Sequence, residues 1–150
     1  MLEQNFSKVY NKFKLLLYTR ILKNHEESKE ALSSLEVICM EIIVALGAPT
    51  IAEFSKFARM SAPNAAYRVN KLVTKGYVER VQSTVDKREY HLRPTEKYSR
   101  DYGDIFNYID VVSARIRKSF GPEDSERLSG MLSVIADELM PEIDNIRDFE

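Results

Sequence analysis

The stretch TKGYVERVQSTVDKREYHLRPTEK, residues 74–97, decides the fold of the chain. Gly76 ends a helix, and the residues after it change to a β-branched and aromatic pattern in YVERVQ and again in EYHL. Because residues 83–87, polar except for Val85, separate these two runs, the stretch predicts a two-stranded hairpin. Pro94 ends the second strand, and Thr95 can cap the helix that follows.

Two short helices are predicted immediately before the hairpin. Thr50 and Glu53 match a capping box at the start of one helix, which ends near Arg59. Ser61 caps the next helix, which tolerates Pro63 in its first turn and continues to the hairpin. Two helices joined by a tight turn and followed by a hairpin predict a winged helix-turn-helix.

Longer helices flank this lobe. A first amphipathic helix and a central helix from about Ser33 to Leu46, apolar nearly all round, precede it. A long helix from Thr95 to Phe120 and a final one with apolar residues from 128 to 146 follow it, separated by Gly121 and Pro122. The expected fold is mainly α with a small β-hairpin wing in a single chain, residues 1–150. Residues 31–98 would form the winged-helix lobe, and residues 1–24 and 99–150 the dimerisation helices, unless these helices fold back onto their own lobe.

Composition places the chain among soluble, ordered proteins. It is 44% hydrophobic and 30% charged, with five Gly and five Pro. No apolar run approaches the ~20 residues of a membrane span, and the N-terminus lacks the layout of a signal peptide. A single cysteine, Cys39, fits a reducing compartment. We therefore expect a cytoplasmic protein without membrane contact.

The charges are unevenly distributed along the chain. Residues 51–100 carry eleven basic and five acidic side chains, a net charge of +6, whereas residues 101–150 carry five basic and twelve acidic ones. A basic middle third favours an anionic polymer as partner there.

A helical wheel divides the helix after Ser61 into two faces. Ala65, Val69, Leu72 and Val73 fall on the face that packs on the core. A helix in a major groove would present the other face to double-stranded DNA, with Pro63, Asn64 and Tyr67 near the groove floor and Arg68, Asn70 and Lys71 nearer its walls. Ser61, at the start of the helix, is a further candidate contact, and an ordinary solvated helix face is the alternative to all of these.

Residues 50–98 resemble the MarR family of bacterial winged-helix transcription regulators. The resemblance rests on a Lys-Gly-aromatic helix end at residues 75–77, an Asp-x-Arg wing at residues 86–88 and a Thr-Glu-Lys helix start at residues 95–97. It implies a homodimeric repressor that binds a palindromic operator. The start of the recognition helix, residues 63–67, departs from the Ser/Thr-rich pattern of the family.

The resemblance also implies roles for the wing and for an effector. Asp86 would orient Arg88, which enters the minor groove, and Lys87 would contact phosphate. A small aromatic or anionic effector would bind a cleft beside the dimer helices, for which the candidates are Tyr10, Phe13, Tyr18, Tyr98, Tyr102 and Phe106. A plain aromatic core is the alternative for these residues.

Other chemistry is not expected. His25 and His91 have no ligand-spaced partners, so we expect no metal, and no motif indicates a cofactor or an enzyme. Cys39 lies in the apolar run VICMEII and is predicted to be buried and inert. The rival function is a winged-helix module that binds a protein and not DNA.

Overall fold

The computed structural model describes residues 1–27 and 31–144. The chain divides into two compact units, Met1–Ile105 and Phe106–Glu150. The elements in chain order are α1 (Leu2–Glu27), α2 (Ser34–Leu46), α3 (Ile51–Ala58), α4 (Ala62–Thr74), β1 (Val78–Gln82), β2 (Tyr90–Pro94), α5 (Glu96–Tyr102), α6 (Asp104–Glu138) and α7 (Pro141–Asp144). The predicted winged-helix fold, mainly helical with one hairpin, is confirmed.

Local sequence signals set the ends of the helices in the winged-helix lobe. Ser33 and Glu36 form a capping box at the start of α2, which ends at Gly47 in the left-handed conformation with φ 63°. At the start of α3, the Thr50 hydroxyl accepts a hydrogen bond from the Glu53 backbone N–H at 3.2 Å. These ends agree with the predicted ones because capping depends on residues only three positions apart.

The core of the first unit lies where α2, α3, α4 and the hairpin meet. Its fully buried side chains include Val37, Met40, Ile43, Phe54, Val69, Leu72 and Leu92. The apolar run of α2 is not buried on every side, because Leu35 and Ile38 are 38% and 49% exposed. The helix therefore packs one face on the core and turns another outward.

The hairpin is antiparallel, with Val78 opposite Pro94 and Gln82 opposite Tyr90. Its second strand is tied to the segment before α3, since the Leu92 N–H donates to the Pro49 carbonyl at 2.7 Å. The wing is thus anchored directly beside the helix-turn-helix.

The helix predicted from Thr95 to Phe120 is divided in two. It breaks at Gly103, where a Cβ would lie 1.9 Å from the Ser99 carbonyl oxygen. Thr95 stands at the N-cap position of α5, but its hydroxyl donates to the Gly76 carbonyl at 2.6 Å and does not cap the helix. The side chain that was expected to cap a helix therefore joins two elements instead.

The second unit contains α7 and most of α6. Its backbone leaves helical geometry at Gly121, with φ 78° and ψ 175°, where the sequence predicted a break. The final predicted helix ends early, at Glu138, and Pro141 opens the short α7. Ile146, the last residue of its predicted stripe, lies outside the described residues. Large apolar side chains of this unit are exposed: Ile109, Val111, Phe120, Met131, Leu132, Val134, Leu139, Met140 and Ile143.

Candidate nucleic-acid interface

A tight turn joins α3 to α4. Arg59 ends α3 in the left-handed conformation with φ 53°, and the Ser55 hydroxyl donates to the Met60 carbonyl at 2.8 Å. The Ser61 hydroxyl then accepts from the Asn64 backbone N–H at 3.3 Å, with Pro63 in the first turn of α4. Local bonds therefore fix the angle at which α4 leaves the turn.

Helix α4 has the two faces that its sequence predicts. Ala65, Val69 and Leu72 have no exposed surface. The candidate contacts Ser61, Pro63, Asn64, Tyr67, Asn70 and Lys71 are exposed. Contact of these residues with DNA stays a prediction.

Arg68 differs from the other candidates on α4. It is half-buried, and its Nε is buried without a hydrogen-bond partner among the described residues. Its charge acts on the thiol of Cys39 in α2. Arg68 is therefore less exposed than the other candidates on α4.

The wing tip is organised by Ser83 and Asp86. The Ser83 hydroxyl accepts from the backbone N–H groups of Val85 and Asp86, at 3.2 and 3.3 Å. The Asp86 carboxylate in turn accepts from the Arg88 backbone N–H at 3.0 Å. The turn is therefore ordered by its own side chains, although nearly all of it is exposed.

Asp86 and Arg88 form a two-pronged pair. Arg88 Nε lies 3.1 Å from Asp86 Oδ1, and Nη2 lies 3.0 Å from Oδ2. The hydrogen bond from the Arg88 side chain, followed by that from its backbone, lowers the pKa of Asp86, and the same contact raises the pKa of Arg88. Both groups therefore stay charged, and the guanidinium, 90% exposed, is held in one orientation.

Comparison with known proteins agrees with this geometry. Residues 32–90 match the model of the MarR family. The chain is 32% identical over 69 residues to the HTH-type transcriptional regulator BilQ of Clostridioides difficile (strain CD3), a match that covers 46% of this chain and 47% of BilQ. The similarity to the MarR family therefore lies in residues 32–90, which contain most of the winged-helix lobe. The chain thus spans about half the length of this curated relative.

Solved structures share the fold over most of the chain. FabT of Streptococcus pneumoniae, solved in complex with DNA, is 20% identical with a TM-score of 0.56, covering 93% of this chain and 97% of FabT. A MepR mutant from a multidrug-resistant clinical isolate of S. aureus is 12% identical with a TM-score of 0.62, covering 93% and 97% of the two chains. At these identities the likeness establishes the winged-helix fold.

A partly buried ion pair supports the C-terminal end of α4. Lys75 Nζ lies 2.7 Å from Oε2 of Glu36, whose side chain is 5% exposed. Burial alone would raise the pKa of Glu36, but the hydrogen bonds from Lys75 and from the Ser33 backbone outweigh it and the pKa is lowered. Lys97 donates to the Lys75 carbonyl at 2.7 Å. The Lys-Gly-Tyr element is thereby fixed from two sides, by α2 and by α5.

The aromatic residues that the family resemblance assigned to an effector cleft lie in different environments. Tyr98 and Tyr102 are stacked, each 1% exposed, and the Tyr102 hydroxyl accepts from the Leu32 N–H at 3.1 Å. Tyr10 and Tyr18 are 58% and 49% exposed. Phe13 is half-buried, and the side chain of Phe106 lies outside the described residues. The two buried tyrosines are core residues in this structure, and the cleft stays a prediction.

Cys39 is buried, as the sequence predicted, and burial raises the pKa of its thiol. Among the described residues, no group of three His, Cys, Asp or Glu side chains is placed to hold a metal ion. Within the same ranges, none of the helices combines the length and apolar character of a membrane span.

Two contributors to the site escaped sequence reasoning. Arg80 on β1 donates a hydrogen bond to Asn70 on α4. Glu36 holds Lys75 from a position 39 residues away. Both residues belong to pairs that only the fold brings together, so no local pattern marks them.

Proposed function

We propose that the protein is a DNA-binding transcription regulator that reads a duplex with α4 and the wing. The Asp86–Arg88 pair carries the proposal, because a guanidinium held at the tip of a hairpin suits a narrow minor groove, whose negative potential attracts arginine. The exposed residues of the first two turns of α4 would lie in the adjacent major groove. Lys87 would contact phosphate.

The wider proposal concerns assembly and regulation. Residues 31–98 form the DNA-binding lobe, and the flanking helices pair two chains, so that two recognition helices lie about 34 Å apart on a palindromic site. Exposed apolar side chains on α1, such as Leu2, Phe6 and Leu22, support pairing. The protein acts in the cytoplasm as a repressor, and a small aromatic or anionic effector modulates its DNA binding.

Selection from a randomised duplex pool, followed by anisotropy titration of the selected duplex, tests the proposal. The Arg88→Ala variant should bind at least about tenfold more weakly while keeping its circular dichroism spectrum and its mass in light scattering. Unchanged affinity of this variant would refute the role of the wing.

The same titration separates DNA binding from the rival function, a winged-helix module that binds a protein. Affinity for DNA should fall steeply with salt because contacts to phosphate release counterions. A wild-type protein that enriches no duplex and shows no salt-dependent binding would favour the protein-binding module.

A further inference from the structure

Arg80 links the wing to the exposed face of the recognition helix. It stands on β1 opposite Leu92 and two residues after Val78, and both of these neighbours are buried. This side of the hairpin therefore faces the core. Arg80 is exposed, and its Nη2 donates a hydrogen bond to Oδ1 of Asn70 in α4.

The arginines of the hairpin differ in the charge of their partners. Arg88 is paired with the carboxylate of Asp86. Arg93 lies 2.7 Å from the carboxylate of Glu79. The partner of Arg80 on α4 is a neutral amide, so this pair keeps a full positive charge while the side chain is oriented. A guanidinium that is held in place by a neutral group is suited to a phosphate.

The contact also limits what Asn70 can do. A guanidinium only donates hydrogen bonds, so the Asn70 atom that faces it is the carbonyl oxygen. Reading adenine with two hydrogen bonds requires both the oxygen and the amine of an asparagine. Because the oxygen is oriented by Arg80, we expect the amine of Asn70 to face DNA, where it suits a phosphate oxygen.

We propose that Arg80 binds a backbone phosphate between the two grooves and that Asn70 positions Arg80 and does not read a base. The proposal rests on the DNA-binding function proposed above and adds Arg80 to the interface. Arg80 would therefore contribute the same binding free energy on every DNA sequence.

The first test replaces Arg80 by glutamine. On the selected duplex and on a mixed-sequence duplex of about 30 base pairs, Arg80→Gln should weaken binding to a similar extent, about fivefold at about 150 mM salt. The slope of log affinity against log salt should shrink by about one. Arg93→Gln is the matched control, since it removes the same charge from the opposite side of the hairpin, and its slope should be unchanged.

The second test separates positioning from base reading. Asn70→Ala should weaken binding about twofold to threefold without relaxing the preference at any base pair, and in the Arg80→Gln background it should add little. Arg80→Lys should retain the salt slope, because lysine keeps the charge. Lysine lacks the planar fork, so Asn70→Ala should have little further effect on affinity in the Arg80→Lys background. Thermal unfolding midpoints should match that of the wild type, since both residues are exposed.

The outcomes are distinct. A wild-type protein that binds no duplex would remove the proposed function and this inference together. Wild-type binding with an unchanged slope in Arg80→Gln, or an equal change in Arg93→Gln, would overturn the inference alone. Relaxed preference at one base pair in Asn70→Ala would show that Asn70 reads a base, and additive losses in the double variant would show that Asn70 does not position Arg80.

Discussion

Replacing Glu36 by glutamine tests how the C-terminal end of α4 is supported. The change keeps the shape of the side chain and an acceptor for the Ser33 N–H, at 3.0 Å, but removes the charge that Lys75 contacts at 2.7 Å. A hydrogen bond to a charged group contributes about 1.5–3 kcal/mol. Because Lys75 is one-third exposed and can regain water, we expect a loss of about 1–2 kcal/mol. For a chain of this size that lowers Tm by about 3–6 °C.

The pH dependence of this loss has a definite sign. The pKa of Glu36 is lowered in the folded state, so its contribution is complete above the ordinary pKa of a glutamate and disappears as pH falls through the folded value. Unfolding by urea should therefore separate wild type from Glu36→Gln near neutral pH, and the two curves should converge in acid. Protein concentration must be held fixed, because stability of a dimer depends on it.

Glu41 supplies a control, because its contribution to stability should change with pH in the opposite direction. Burial raises its pKa although its oxygen accepts a hydrogen bond from the Tyr98 hydroxyl. Its charged form is disfavoured by folding, so the wild type should gain stability relative to Glu41→Gln as pH falls toward the raised pKa. If Glu36→Gln matches the wild type at neutral pH, or if its deficit persists undiminished in acid, the assignment of Glu36 as a charged support of α4 is wrong.

Three further changes test the fold and the wing. Tyr102→Phe leaves the buried Leu32 N–H without its acceptor and should cost about 1–3 kcal/mol in urea unfolding, whereas an unchanged midpoint would exclude that bond. Gly103→Ala places a Cβ 1.9 Å from the Ser99 carbonyl and should cost more than about 2 kcal/mol, so wild-type stability would contradict the break between α5 and α6. Asp86→Asn frees Arg88 from its two-pronged carboxylate and should weaken DNA binding in anisotropy although the protein gains positive charge; tighter binding would show that charge outweighs orientation.

Local features of the winged-helix lobe were predictable from the sequence. The buried face of α4 follows from the helical period, and the caps at Ser33, Thr50 and Ser61 act over three residues. The Asp86–Arg88 pair is two residues apart, so a turn alone brings it together. These features need no knowledge of how distant segments pack.

The features that escaped prediction depend on distant segments. The Glu36–Lys75 pair joins positions 39 residues apart, and Thr95 caps nothing because the Gly76 carbonyl lies within reach of its hydroxyl. The exposed Ile38 lies in an apolar run that predicts burial all round, since sequence does not show which face lacks a neighbour. Hydrophobic pattern and capping signals define the bounds of an element. The packing of distant segments determines which neighbours its side chains contact.

The surroundings of Arg68 and Asn70 reduce the number of α4 residues that could set its sequence preference. Arg68 is half-buried with a buried Nε, and the oxygen of Asn70 accepts a hydrogen bond from Arg80. Pro63, Asn64 and Tyr67 are then the candidates left in the first two turns, where a helix in a major groove reads bases. Because an asparagine amide complements adenine and an apolar ring complements the thymine methyl, we expect this helix to select A·T pairs at the positions that these residues reach. Discrimination would then come from the start of α4, while Arg80 and Lys87 supply affinity that does not depend on the base sequence.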